Sequence, residues 1–365
     1  MKDHLVVNEA PVSRCTGMTP WSGFMSLRRA FGLILILACA DAAARDKTDQ
    51  VTLINGNQLT GEIKKLDHGQ LSFSTDSMGT VRIEWDDVRV TDSQYEFEFE
   101  LSDGSRYFGR LGRSEEPGYL VIVEQFRSVP LSMAQIIRIT PIENSFLDRL
   151  NGSLSLGLNL TKGDDVSDQF NVSASATHRT RIRAITAKLS AIITQDDEES
   201  TQRADLSLEM TRFRGNRWFN SYFAGLESND ELDLDLRTSI GAGVGRYVIQ
   251  TNAIELQWLT GLVATSERLG DGSSSVEGLE GLLGIGFSKY LYDHPNVDID
   301  LSLNVFPSLT ESGRVRSKFN ARIRREIVDD LFLDITLFAS YDSDPQSVDG
   351  ATTDQGIVTS LGWSF

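Results

Sequence analysis

Cysteine is nearly absent from this chain, with two in 365 residues, Cys15 and Cys39. Both fall within an export leader, so the mature chain would hold none. That excludes disulfides, thiolate nucleophiles and cysteine metal sites together. A run of 18 apolar residues is also missing, which excludes a helical membrane protein. Basic side chains are in deficit, 35 against 52 acidic, for a net charge of −17. Such a chain repels nucleic acid, whose recognition rests on neutralising phosphates with Lys and Arg. Histidine is scarce too. Beyond the leader only His68, His178 and His294 remain, in separate segments, and neither H-E-x-x-H nor G-x-S-x-G occurs. No enzyme activity, cofactor or metal centre is therefore expected. The "GAGVG" stretch at 241–245 sits mid-strand with no helix after it, so it reads as small residues at a tight wall rather than a dinucleotide loop.

The leader is legible in its charges. Arg28 and Arg29 precede an apolar core from Ala30 to Ala40, and Ala42-Ala43-Ala44 gives an A-x-A cleavage pattern. Export from Met25 makes residues 25–44 a signal peptide and residues 1–24 an overcalled start. A competing reading lipidates Cys39, although Leu37 is bulky for the position two before it.

Beyond the leader the chain repeats itself. "VTLINGNQLTGEI" (51–63) returns as "FELSDGSRYFGRL" (99–111), which aligns Asn55-Gly56 with Asp103-Gly104 and Gly61 with Gly109. Asn-Gly and Asp-Gly favour tight hairpin turns, and the flanking alternation is strand-like. The spacing predicts two small SH3-like or Sm-like β units, at 50–94 and 95–142. Asp86 and Asp87 with the exposed glycines could edge a ligand site; as turn residues they need no such role.

From residue 146 to residue 365 the pattern is period-two alternation sustained over long segments. In "SLSLGLNL", Leu154, Leu156 and Leu158 share one face, and Ser153, Ser155 and Gly157 the other. Twelve such segments are predicted, starting near 150, 169, 183, 203, 218, 236, 252, 276, 297, 314, 331 and 354. Strands of about 10 to 14 residues are long for a soluble sandwich and suit tilted, membrane-spanning strands. Connections after odd strands are long and acidic, and several after even strands are short and basic, which is the sidedness of an outer-membrane barrel. The fold class expected is all-β: a 12-stranded antiparallel transmembrane barrel at 146–365, preceded by a periplasmic domain of two β units. In "IVTSLGWSF", Leu361, Trp363 and Phe365 fall on the lipid face. The last strand must pair with the first to remove the edges, and the terminal aromatic reads as an assembly signal for the barrel assembly machinery.

Three stretches carry a likeness to a known family: "NGNQLTGEI", "GTVRIEWDDV" (79–88) and "LRTSIGAGVGRYVIQTNAIELQWLTGL" (236–262). In these the mature chain resembles the salt-induced outer-membrane proteins of Gram-negative bacteria, a family without an established activity. The resemblance implies location and fold, and the second copy of the N-terminal unit is an elaboration on it.

The candidate site is electrostatic. Strand ten turns Arg316, Lys318, Arg322 and Arg324 into the lumen, beside Asp298 and Asp300 on strand nine and Asp334 on strand eleven. Folding the hairpins about 311–312 and 328–329 sets Asp300 opposite Ile323 and Asp334 close to Arg324, with the charges meeting near the periplasmic mouth. They serve either as a solute-selecting constriction or as a salt-bridge ladder filling a narrow barrel. The function expected is envelope maintenance or a narrow passage for small solutes. The alternatives are a periplasmic binding module anchored by the barrel, its partner unnamed, and an outer-membrane enzyme. Besides outer-membrane lipid, divalent cations are candidate partners of the acidic outer loops, at Asp164, Asp165, Asp196, Asp197, Glu198, Glu199, Asp230, Glu231, Asp233 and Asp235. A merely solvated face is the competing reading.

Overall fold

The computed structural model describes residues 46–114, 116–124, 127–142, 149–161, 167–180, 182–196, 200–269, 275–292, 296–328, 330–345 and 351–364. The expected leader, with both cysteines, lies outside the described residues, as do His294 and Phe365.

The N-terminal domain is made of ten short strands. The first five are β1 (Asp49–Leu53), β2 (Gln58–Asp67), β3 (Gln70–Thr75), β4 (Gly79–Glu84) and β5 (Val88–Asp92). The next five are β6 (Glu96–Leu101), β7 (Arg106–Gly112), β8 (Tyr119–Val123), β9 (Ser128–Ser132) and β10 (Ile136–Pro141). Both sets pair in the same order. Each runs as a meander of four strands, after which a 3-10 turn returns the fifth to the first, β5 to β1 and β10 to β6. Gly61 and Gly109 fill matching places: a Cβ on either would lie 2.4 Å from the Ser74 carbonyl or 2.5 Å from that of Val123. Only glycine lets the crossing strand come so near.

The two sets do not make two separate cores. Val51, Ile63, Phe73 and Trp85 of the first share one buried cluster with Phe97, Phe99, Ile122 and Ile139 of the second. The Trp85 indole N–H donates to the Met133 carbonyl at 2.9 Å, which joins the two 3-10 turns. A half of about 45 residues buries too little apolar surface to stand alone, and fusing the halves supplies the missing core.

The barrel follows: β11 (Leu150–Thr161), β12 (Ser167–Arg179), β13 (Arg183–Asp196), β14 (Ser200–Phe213), β15 (Trp218–Asn229), β16 (Leu234–Gln250), β17 (Ile254–Leu269), β18 (Val276–Leu291), β19 (Val297–Pro307), β20 (Val315–Val328), β21 (Leu331–Asp342) and β22 (Thr353–Ser364). Each strand pairs antiparallel with the next, and β22 returns to β11 to close the barrel. Strand starts fall within three residues of those read from the alternation. The lipid-type face is apolar all round, with Leu156, Ile240, Leu262, Ile285, Leu301, Ile323, Ile357 and Trp363 exposed. A continuous belt of that kind is at home in hydrocarbon, where closure leaves the backbone no unpaired edge.

The glycines of 241–245 are wall residues. Inside the barrel, the Phe223 and Phe219 rings lie where Cβ atoms of Gly241 and Gly245 would be, at 2.2 and 2.3 Å. The inner wall there is built from aromatic rings seated on glycine.

Candidate functional site

Alternation sends every second barrel side chain inward, so the lumen's chemistry is set by strand parity. Its middle is a cavity of about 590 Å³. Hydroxyls of β12, β13 and β14 (Ser173, Ser175, Thr186, Ser190, Ser207) line one wall with Lys188, Arg203 and Asp205 among them, and Glu255 of β17 and charged groups of β19, β20 and β21 line the other. An ion network fills its long-loop end, and the N-terminal domain covers the other, with a smaller cavity between Lys65, Glu100 and Arg138 of the cap and Asn151 and Arg179 of the barrel.

At the long-loop end lies a buried ion network. The Arg237 guanidinium donates to Glu267 at 2.8 Å and to Glu227 at 3.1 Å. Arg314, just before β20, reaches Asp342 at 2.6 Å and Glu267 at 3.0 Å. The Arg316 Nε donates to Glu280 at 2.7 Å, and Lys318 reaches Glu227 at 2.7 Å. The Arg203 guanidinium and the Asn229 amide share Asp354, each at 2.6 Å. Arg237, Glu267, Glu280, Arg314 and Arg316 are each no more than 5% exposed, so this end is packed solid. Charges so deep hold their place only because each meets an opposite charge.

The sequence-derived ladder divides between this network and a second pair of rungs. Arg316 and Lys318 belong to the long-loop network, not to the short-turn mouth where they were expected. Nearer the other end, Arg322 pairs with Asp300 at 2.5 Å and Arg324 with Asp334 at 2.9 Å. Asp300 stands opposite Arg322, not Ile323, because the β19–β20 hairpin folds about residue 311 itself. Asp298 takes the register place beside Arg324, whose guanidinium turns to Asp334 and stacks 3.5 Å above the Phe332 ring. Sequence reasoning missed Asp205, Glu227, Arg237, Glu267, Glu280, Arg314 and Asp342. Inward parity among Ser and Gly neighbours was the available signal, but their partners lie across the lumen.

At the short-turn end the N-terminal domain covers the mouth. Lys65 donates to Asn151 of β11, and the Arg179 guanidinium of β12 to Glu100 at 3.0 Å. The amide of Asn252, between β16 and β17, donates to the Ile136 carbonyl at 3.1 Å. His68 meets the Tyr290 ring edge-on at 4.0 Å, and Gln70 reaches Asn296 at 3.3 Å. Arg82 binds Glu326 of β20 and Asp330 in the next turn. These contacts run round the rim from β11 to β20 and are almost all polar. The domain is seated as a cap.

Glu100 is the busiest of these groups, accepting from Arg138 at 2.8 Å and from Arg106 at 3.2 Å besides Arg179. Burial pushes its carboxyl up, but the Arg179, Arg138 and Arg106 guanidiniums outweigh that and hold it at about 2. Burial also pushes Asp67 up, and Arg138 with His68 and Lys65 brings it well below the usual carboxylate range. Burial lowers Lys65, with Arg82 and Arg138 adding to the effect against Asp67.

Leu361 and Trp363 lie outward on β22, and Gly362 lies inward over the Phe332 ring. Asp164, Asp165, Asp197, Glu198 and Glu199 fall outside the described residues, and of Asp196 only the backbone is described. Asp230 is engaged locally, its carboxylate accepting from the Gln202 backbone N–H at 2.8 Å. Among the described residues no three His, Cys, Asp or Glu side chains are grouped to hold a metal ion.

Fold and site together define a closed, membrane-type β-barrel with a capped polar lumen. The family model described as "Protein of unknown function, DUF481" matches residues 154–365, and the chain belongs to that family. Among solved structures, the translocator domain of autotransporter NalP from Neisseria meningitidis is 13% identical, with a TM-score of 0.34, and the match covers 59% of this chain and 87% of that one. The β domain of the Bordetella autotransporter BrkA is 10% identical, with a TM-score of 0.33, over 59% of this chain and 97% of that one. No curated protein matches the chain.

Proposed function

We propose that this chain is an outer-membrane β-barrel that keeps a closed polar chamber in the membrane, with its N-terminal domain, a duplicated SH3-like unit, as the periplasmic lid. Its work is in envelope maintenance by holding or handing on a small polar group, not in free diffusion or catalysis. The observation that carries this is a polar chamber of about 590 Å³ lying between a buried ion network at one lumen end and the N-terminal domain over the other. An open pore has no use for buried ion pairs across its entrance, and a mere anchor has no use for a polar chamber.

Two measurements test it. In fractionated cells the protein should sit in the outer membrane and migrate faster in gels before boiling than after; a soluble, heat-indifferent protein would sink the location. With residues 1–44 removed the chain has no cysteine, so Ser190→Cys places one thiol in the chamber. A water-soluble maleimide should label it slowly, and at least tenfold faster when Arg82→Glu and Arg179→Glu release the lid. Fast labelling with the lid intact would overturn the closed chamber.

A further inference from the structure

The barrel's walls are zipped unevenly. Each pair of consecutive strands from β11 to β22 is matched over nine or more residue pairs, the shortest being β18 with β19. Among the described residues the closing seam has four, Ser153–Leu156 against Leu361–Ser364. Beyond Leu156 the ladder stops at the long-loop half. There β22 continues to Thr353 paired only with β21, and β11 continues to Thr161 paired only with β12. In hydrocarbon, backbone groups left without a ladder partner are costly, and a closed barrel ordinarily removes them.

The ladder ends at a built feature. Gly157 is the first residue past it, and a Cβ there would lie 2.2 Å from the Thr359 carbonyl and 2.3 Å from the Asn171 amide nitrogen. Asn171 is 3% exposed, and its side-chain N–H₂ has no acceptor. A buried donor without a partner, beside this interrupted seam, is a place for an acceptor from outside the chain. Val358 and Ser360 of β22, Ser153 of β11 and Asn171 itself all line the chamber, so the seam borders it directly. Within, Lys188 faces the same chamber, close enough for its charge to act on Asp300 but in no ion pair among the described residues, whereas Arg322 and Arg324 pair directly with Asp300 and Asp334.

We propose that the long-loop half of the β11–β22 seam is a lateral mouth, through which the anionic headgroup of a membrane amphiphile enters the chamber while its acyl chains stay in the lipid. This rests on the closed-chamber reading. With one axial end filled by the ion network and the other covered by the N-terminal domain, the side is the remaining way in. Asn171 donates to the headgroup as it passes, and Lys188 with the hydroxyl wall receives it.

The test is a seam that can be locked. Leu158→Cys and Thr359→Cys, introduced together, stand where the register of the four matched pairs would meet if continued past Leu156, both on the exposed outer face. The same protein, oxidised or reduced, is exposed to phosphatidylglycerol vesicles, washed in detergent and weighed by native mass spectrometry. Reduced protein should retain the anionic lipid at least tenfold more than oxidised protein, and phosphatidylcholine should be retained by neither. Lys188→Gln should weaken retention several-fold. Equal retention in the two redox forms overturns the lateral mouth, as does soluble glycerol phosphate loading both forms alike, which marks an axial route or an adhering phosphate ester. Should the thiols stay apart, Gly157→Leu, which wedges the seam, must raise loading; no change there overturns the proposal equally. Failure of the closed chamber itself shows separately, as fast maleimide labelling at Ser190→Cys with the lid intact.

Discussion

Replacing Glu100 with Gln is the sharpest probe of the lid. The carboxylate is 7% exposed and holds Arg138 and Arg106 within the cap and Arg179 on the barrel, at 2.8, 3.2 and 3.0 Å. Gln keeps the shape and one acceptor but removes the charge that three guanidiniums face, which costs about 2–4 kcal/mol by the usual toll of breaking a buried charge cluster. Protonation should have a like effect. The folded carboxyl titrates at about 2 against an ordinary 4.5, a difference equivalent to about 3 kcal/mol. Because the folded value is depressed, that stability is fully present above about pH 4.5 and drains away as pH falls toward 2. The assay is a urea titration of the detergent-solubilised protein, reading cleavage within the cap by trypsin at pH 7 and by pepsin at pH 4.5 and below. The midpoint should fall for Glu100→Gln at pH 7 and should fall for the native protein between pH 4.5 and 2, with the two curves converging at low pH. A native midpoint indifferent to pH, or an unchanged midpoint for the variant, would refute the latch.

Gly61→Ala should destabilise the cap by about 1–3 kcal/mol, since its Cβ would lie 2.4 Å from the Ser74 carbonyl, and Gly109→Ala should do likewise; urea midpoints check both. Trp85→Phe keeps the ring in the core but loses its bond to Met133, for a fall of about 1 kcal/mol in the same titration. Arg324→Ala strands Asp334, which is 3% exposed, and should lower barrel stability in detergent by about 3 kcal/mol, with Asp334→Asn in the same chain restoring part of the loss.

The barrel was legible because period-two alternation is a local property: Leu154, Leu156 and Leu158 face outward whatever β12 does. Register was legible only to within a residue. Asp300 was placed opposite Ile323 because a hairpin axis drawn between 311 and 312 differs by one position from an axis through 311. That slip also decides which carboxylate meets Arg322. The long-loop network was out of reach for a different reason. Lys318 and Asp205 are 113 residues apart, as are Arg203 and Asp354 at 151, and nothing local records which inward charges face one another across a lumen. The repeat at Gly61 and Gly109 was visible, yet its halves were expected as separate units. Their shared core and their seat on the barrel rest on scattered groups such as Trp85, Arg82 and Glu100, which look like ordinary strand residues in the sequence. The interrupted seam left no trace beyond Gly157, one glycine among the 30 of the chain.

A chamber sealed at both axial ends passes no ions, and single-channel recording in planar bilayers tests that most directly. The native protein should insert without conductance steps, and steps should appear only when the lid is released by Arg82→Glu and Arg179→Glu and the opposite network is opened by Arg314→Ala and Arg237→Ala together. Regular open-channel steps from the native protein, unchanged by those substitutions, would contradict it.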